Sequence, residues 1–178
     1  PGGYTHHPAF DEVAAALSEA FTTLGGSAPL VRRPEDLAGR APIVLGAQRL
    51  PEGAVLPEGT VILNLEQAGD GNPNFKPGYK ALLRRHPVVD YSVRNARALE
   101  AAGVASVRVL PLGYSPCLTR ITHRAEKDID VLFYGSRNKR RRVILSALEE
   151  AGLAVRSVFG VYGEERDALI GRARIVLN

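Results

Sequence analysis

The densest chemistry in the chain is a run of six residues, Arg137-Asn138-Lys139-Arg140-Arg141-Arg142, that carries five cations directly after the glycine turn Gly135-Ser136. The apolar stretch Val131-Leu132-Phe133-Tyr134 precedes the turn and a helical pattern follows it, so the cations fall at a predicted helix N-terminus. That end of a helix carries the positive pole of its dipole, and each solvated cation placed there costs a few tenths to about 1 kcal/mol. The helices predicted to begin near Pro8 and after Gly163 do the reverse: Asp11 and Glu12 open one, Glu164 and Glu165 the other. Of these three helix starts only this one breaks the local rule, and a broken local rule is a mark of function. A bound diphosphate would turn the penalty into attraction, through charge-assisted hydrogen bonds worth roughly 1.5–3 kcal/mol each. The competing explanation is a solvated basic helix start whose cations pair with Glu149, Glu150 or water.

A second group of residues suits proton transfer and hydroxyl recognition. His6 and His7 stand together near the start of the chain, and imidazole titrates near neutral pH. Asn64-Leu65-Glu66-Gln67 ends an apolar run with three polar side chains, and the loop Ala68-Gly69-Asp70-Gly71-Asn72-Pro73-Asn74 continues it, which makes Glu66 a further candidate base. Tyr91-Ser92, with Arg94 and Asn95, ends another apolar run, where a helix cap by Ser92 is the simpler explanation. Polar residues on a chain end and on a solvated loop are the plainer alternatives for the first two groups.

The elements that must position these groups alternate along the chain. Strands are expected over 29–31, 42–46, 60–65, 88–92, 106–110, 128–134, 154–159 and 174–177, and helices over 8–24, 79–85, 93–102, 139–151 and 164–173. Short β-branched runs separated by amphipathic segments imply an α/β fold with parallel sheets and crossover helices. Residues 113–127, with their prolines and aperiodic polar composition, are expected to link one α/β domain over 1–112 to the start of a second over 128–178. The first domain is expected to lack its opening strand and the second to be incomplete.

Composition narrows the function classes. Net charge is +4 in 178 residues, and residues 1–118 balance, so the whole excess lies C-terminal to them. Those basic residues concentrate in one turn without interleaved stacking aromatics, which disfavours nucleic acid as a partner. A single cysteine allows no internal disulfide, no Cys/His spacing suits zinc, and no carboxylate pair suits a metal-bridged donor. A dinucleotide-binding G-x-G-x-x-G does not follow any predicted strand. No apolar run reaches the roughly 20 residues needed to span a bilayer. The expected setting is the cytoplasm, with any membrane contact peripheral, at the inner membrane.

The stretch Asp128-Ile129-Asp130-Val131-Leu132-Phe133-Tyr134-Gly135-Ser136 and the later Val158-Phe159-Gly160-Val161-Tyr162-Gly163-Glu164-Glu165-Arg166 resemble bacterial nucleotide-sugar-dependent glycosyltransferases of the GT-B type. The likeness is to the group that shares this donor-domain opening with spore-protein-type and Glu-x7-Glu transferases. Val107-Arg108-Val109-Leu110-Pro111-Leu112-Gly113-Tyr114 is similar to the segment joining the two domains in such enzymes. The resemblance implies two Rossmann-like domains, with the donor diphosphate held by Gly135, Ser136, Arg137, Lys139 and Arg140. It further implies that Phe159, Gly160, Val161 and Tyr162 lie along the nucleotide base, where an ordinary strand-to-helix turn is the equal alternative. His6, His7 and Glu66 would then be the catalytic candidates on the acceptor side, with the histidines at the mouth of the interdomain cleft. No metal or other cofactor is expected, because cations and a helix dipole supply the positive charge and the nucleotide-sugar is a substrate. The paired acidic motif of these enzymes is not in the chain, so the resemblance implies a C-terminally truncated fragment that is inactive alone.

The leading expectation is therefore transfer of a sugar from a nucleoside diphosphate to an acceptor hydroxyl on a glycan, a lipid or a protein. The alternative is a non-catalytic Rossmann-like module that binds a nucleotide or a partner.

Overall fold

The computed structural model describes residues 7–69 and 71–177 and shows an α/β protein with two separate parallel sheets. The chain divides into two compact units, Pro1–Ser115 and Pro116–Asn178.

Sheet A, in the first unit, has four parallel strands in chain order: β1 (Ile43–Leu45), β2 (Val61–Asn64), β3 (Val88–Asp90) and β4 (Val107–Val109). Helix α1 (Asp11–Thr23) precedes it, while α2 (Pro77–Arg85) and α3 (Val93–Ala101) are the crossovers into β3 and β4. The register aligns Ile62, Val88 and Val107 across three strands, and two residues on it aligns Asn64, Asp90 and Val109. Side chains two apart share a face, so one face of the sheet reads apolar and then polar towards its carboxyl edge. Ile62, Val88 and Val107 pack with Leu82 and Leu83 of α2 and with Ala96 and Leu99 of α3. Fully burying a Leu or Ile side chain is worth about 1.5–3 kcal/mol, so this layer is the main source of cohesion in the unit.

The strand expected over 29–31 does not form. Those residues run as an irregular segment into a 3-10 turn at Pro34–Leu37, with Leu30 and Val31 exposed. Pro29 supplies no N–H to a ladder and Pro34 biases its predecessor towards an extended turn, so the three residues between 29 and 33 cannot sustain pairing. The helix expected over 8–24 begins instead as a 3-10 turn at His7–Phe10 and becomes α-helical at Asp11. It buries no residue completely, and Phe21 and Leu24 are exposed.

Sheet B, in the second unit, comprises β5 (Ile129–Tyr134), β6 (Val155–Val158) and β7 (Ala173–Leu177), connected by α4 (Lys139–Glu150) and α5 (Gly163–Arg172). The spatial order is β6-β5-β7, all parallel. The chain thus steps outwards from β5 to β6, then passes back over β5 to reach β7. The carboxyl ends of β5 and β7 flank the point where the direction of winding reverses, the place in open parallel sheets where ligands bind. Leu132, fully buried in the central strand, packs with Leu169 of α5 and with Ala173, and Gly171 brings α5 against the segment before β5. A Cβ on Gly171 would lie 2.5 Å from the Thr122 carbonyl oxygen, so no larger residue fits without moving that backbone.

Candidate functional sites at the carboxyl edges of the two sheets

In sheet B, β5 ends at Tyr134 and the chain turns through Gly135, whose φ of +149° is a conformation that L side chains rarely adopt. The Gly135 amide donates to the Val158 carbonyl at the end of β6, 3.0 Å away, which fixes the turn beside that strand. Asn138 caps α4, its side-chain oxygen accepting from the Arg141 amide at 2.9 Å. The basic run then divides into two sets. Arg141 donates through Nη1 to the Ser136 carbonyl at 2.9 Å and to Ser136 Oγ at 3.2 Å, and its guanidinium lies over the Phe133 ring. Arg142 donates to the Arg137 carbonyl at 3.0 Å. These two arginines staple the loop. By contrast, the side chains of Arg137, Lys139 and Arg140 make no hydrogen bond or ion pair among the described residues, and neither Glu149 nor Glu150 approaches them.

A cavity of about 240 Å³ opens at this turn, lined by Phe133, Asn138, Arg140, Arg141, Ile144, Leu145 and Leu177. Phe133 and Leu177 are paired residues near the carboxyl ends of β5 and β7, so the cavity sits at the winding reversal with the start of α4 as its wall. Its floor is apolar and its rim cationic. Of the residues expected to hold a diphosphate, Arg140 lines the cavity; Gly135 and Ser136 form the turn beside it; Arg137 and Lys139 are exposed on the same turn. Sequence reasoning missed Arg141 as a lining residue and Asn138 as the cap, although Asn is among the residues favoured at a helix N-cap.

The segment expected along a nucleotide base follows β6. Phe159 is exposed and Gly160 has a φ of +75°. Val161 packs into the core beneath α5, and Tyr162 is the residue preceding that helix. Val161 is thus committed to packing, while Phe159 and Tyr162 flank it at the carboxyl edge. The adjoining Arg166 is nearly buried, lies over the Tyr134 ring and pairs with Asp167, which also accepts from Arg120 at 2.7 Å.

A larger cavity, about 390 Å³, lies at the opposite edge of sheet B among Arg124, Glu126, Asp128 and Arg172. Asp128 and Arg172 are hydrogen-bonded there, and that bond holds the Asp128 carboxyl below its ordinary pKa. The cavity adjoins the amino end of β5, away from the strand ends that carry the glycine turn, and one of its two cations, Arg172, is already paired with Asp128.

In sheet A, the carboxyl edge is built from amides. The fully buried Asp90 carboxylate accepts from Asn64 Nδ2 at 2.6 Å and from the Ser92 amide at 2.8 Å. Asn64 Oδ1 in turn accepts from the buried Tyr79 hydroxyl at 2.7 Å and from the Glu66 amide at 3.1 Å. Burial, together with the nearby Glu66 and Asp90 carboxylates, pushes the Tyr79 phenol well above its ordinary pKa. The Glu66 carbonyl accepts from both Asn64 Nδ2 at 2.8 Å and Asn95 Nδ2 at 2.9 Å. The Glu66 backbone is therefore clamped on both sides, and its half-buried carboxylate accepts from Gln48 at 2.7 Å, Asn74 at 3.2 Å and Asn72 at 3.4 Å. Ser92 caps α3, and Asn95, in that helix's first turn, also accepts from the Ala68 amide.

His6 lies outside the described residues. His7 is exposed in the 3-10 turn before α1, with Nδ1 3.3 Å from Arg32 Nη1; Arg32 also grips both oxygens of Asp11 at 3.2 Å. A guanidinium only donates, so Nδ1 is the acceptor and the neutral ring carries its proton on Nε2. In this arrangement His7 offers a donor at Nε2. Phe10, at the end of the same turn, packs on Gly46, whose φ of +74° turns the chain from β1 towards Gln48. His7 and Glu66 are thus served by elements of the same sheet edge.

No protein-family model matches the chain, and no solved structure matches it significantly. Two uncharacterized proteins of Acanthamoeba polyphaga mimivirus do. L140 is 28% identical over 123 residues, 66% of this chain and 39% of L140. L137 is 29% identical over 96 residues, 51% of this chain and 13% of L137. The chain therefore spans less than half the length of either relative. Among the described residues, no helix is long and apolar enough to cross a membrane.

Proposed function

We propose that the chain carries part of a nucleotide-sugar-dependent glycosyltransferase of the GT-B type, with two Rossmann-like units. The donor diphosphate would bind at the carboxyl edge of sheet B and the acceptor hydroxyl at the carboxyl edge of sheet A. The observation that supports this reading best is the cavity at the winding reversal of sheet B, with an apolar floor, Arg140 and Arg141 on its rim, and two further unpaired cations on the same turn. A nucleoside diphosphate matches both halves of that description, because it joins a flat apolar base to a dianionic or trianionic group. Helix N–H groups and preorganised cations would stabilise the leaving diphosphate without reorganising during transfer. On the acceptor side the described candidates are Glu66, for deprotonating a hydroxyl, and His7, whose Nε2 proton suits orienting one.

The test is a thermal-shift panel of UDP, GDP, ADP and TDP on this chain and on a Lys139→Ala, Arg140→Ala variant. One nucleotide at about 100 times its Kd should stabilise the wild-type protein by about 2.7 kcal/mol, and the variant should lose most of that gain. No shift with any nucleotide, or equal shifts in both proteins, overturns the reading. The engagement of His7 Nδ1 with Arg32 favours, as a second reading, a nucleotide-binding module without transfer. Nucleotide binding without sugar transfer or donor hydrolysis by a longer protein containing this chain would select it.

A further inference from the structure

We infer that the amide cage around Glu66 is a binding site for adjacent hydroxyl groups of a carbohydrate, which names the acceptor class and rests on reading the carboxyl edge of sheet A as the acceptor side. A carboxylate accepts about four hydrogen bonds and an amide offers two N–H donors and a carbonyl. Glu66 accepts three, from Gln48, Asn72 and Asn74, which leaves one lone pair. Asn72 spends both its N–H groups, on Glu66 and on the Gln67 carbonyl, and its oxygen on the Asn74 amide. Gln48 and Asn74 each spend a single N–H, so each keeps one donor and its carbonyl oxygen.

The unspent set is therefore mixed: two N–H donors, two carbonyl acceptors and one carboxylate lone pair, carried by the half-buried Glu66 and two amide side chains bonded to it. A hydroxyl both donates and accepts, and two neighbouring hydroxyls satisfy such a set with both functions used. A cation would leave the two N–H donors facing positive charge, and an anion would face the Glu66 carboxylate, which no cation of the described chain neutralises. An isolated alcohol would fill only part of it. The site is also held in place before any ligand arrives, because Asn64 and Asn95 clamp the Glu66 backbone from the buried side. Holding polar groups in their bound geometry lowers the ordering cost of binding.

The experiment follows the side-chain NH2 signals of Gln48, Asn74 and Asn95 by NMR while the isotope-labelled chain, free of nucleotide, is titrated with methyl α-glucopyranoside, methyl α-galactopyranoside, 2-propanol or calcium chloride. One of the glycosides should shift the Gln48 and Asn74 signals saturably, with 2-propanol and calcium leaving them in place. Glu66→Gln and, separately, Asn74→Ala should weaken the glycoside by about tenfold or more, the scale of a lost hydrogen bond to a charged group, while an unmoved Asn95 signal reports an intact clamp. The inference is overturned by three results: no saturable shift up to about 0.1 M glycoside, well above a millimolar Kd; an equal response to 2-propanol or calcium; or unchanged affinity in both variants. Glycoside binding that persists when no nucleotide binds upholds this site and removes the donor reading alone; nucleotide binding without glycoside binding does the opposite.

Discussion

The two carboxyl edges are polar for opposite reasons. At sheet A the polar groups answer one another: Asp90, Asn64, Tyr79 and Asn95 form a closed set whose buried members all have partners, and its product is a fixed backbone at Glu66. At sheet B only two of the five cations of the basic run are spent internally, on the carbonyls of residues 136 and 137, while Arg137, Lys139 and Arg140 oppose the helix dipole without compensation. One edge has invested its polar groups in order, the other has left charge uncompensated. Mutation should therefore damage stability at the first and improve it at the second, and the predictions that follow test that asymmetry.

The largest effect is expected at Asn64. It is fully buried and joins three partners, Asp90, Tyr79 and Glu66. Asn64→Ala removes the side-chain donor to a buried carboxylate and strands the Tyr79 hydroxyl, which should cost about 3 kcal/mol in chemical denaturation. A cost below about 0.5 kcal/mol, the range of ordinary surface changes, would mean that the network is not the clamp described here.

The alternating pattern of the sequence revealed the strands and helices of both sheets well, because each short apolar run has a buried partner at the register that its length allows. It failed at residues 29–31, where an apolar pair between two prolines looks like a strand until one asks what could pair with it. The basic helix start was legible as an anomaly of charge. Its division into stapling and unpaired cations was not, because Arg141 and Arg142 differ from Arg140 only in which loop carbonyl they reach. Glu66 stood out by position, at the end of an apolar run. Its cage was invisible, since Gln48, Asn72 and Asn95 meet it only through the turn after β1, the 66–75 loop and the cap of α3. Gly171 shows the same limit: its role depends on a carbonyl forty-nine positions away in sequence.

A smaller effect, with a pH signature, is expected at Tyr79. Its folded-state pKa is raised by burial and by Glu66 and Asp90, whereas the unfolded phenol ionises near 10. The folded state therefore favours the neutral phenol: the stabilisation from this group is whole below about pH 10 and declines as pH rises from there towards the folded pKa. Tyr79→Phe should cost about 1 kcal/mol near pH 7, for the lost bond to Asn64. It should also flatten the alkaline decline, so the stability gap between wild type and variant narrows between about pH 9 and 11. A gap that stays constant or widens over that range contradicts a buried neutral phenol.

The smallest effect has the opposite sign. Lys139 and Arg140 sit in the first turn of α4 with no acid in that turn. Replacing each by alanine removes a cation from the positive pole, and should stabilise the chain by a few tenths of a kcal/mol per residue in low salt. Added salt should erase the gain, because exposed charges are screened within about 10 Å at 0.1 M. Arg141→Ala should instead destabilise, because it frees the Ser136 carbonyl and hydroxyl. The contrast between neighbours is the decisive part: a helix start that is merely solvated would respond alike to all three substitutions, whereas a turn held by one arginine and strained electrostatically by the others will not. Inorganic phosphate at millimolar concentration should then raise the wild-type melting point more than that of the Lys139→Ala, Arg140→Ala variant, which reverses their order of stability. If the order does not narrow or reverse with phosphate, the uncompensated charge at sheet B is not an anion site.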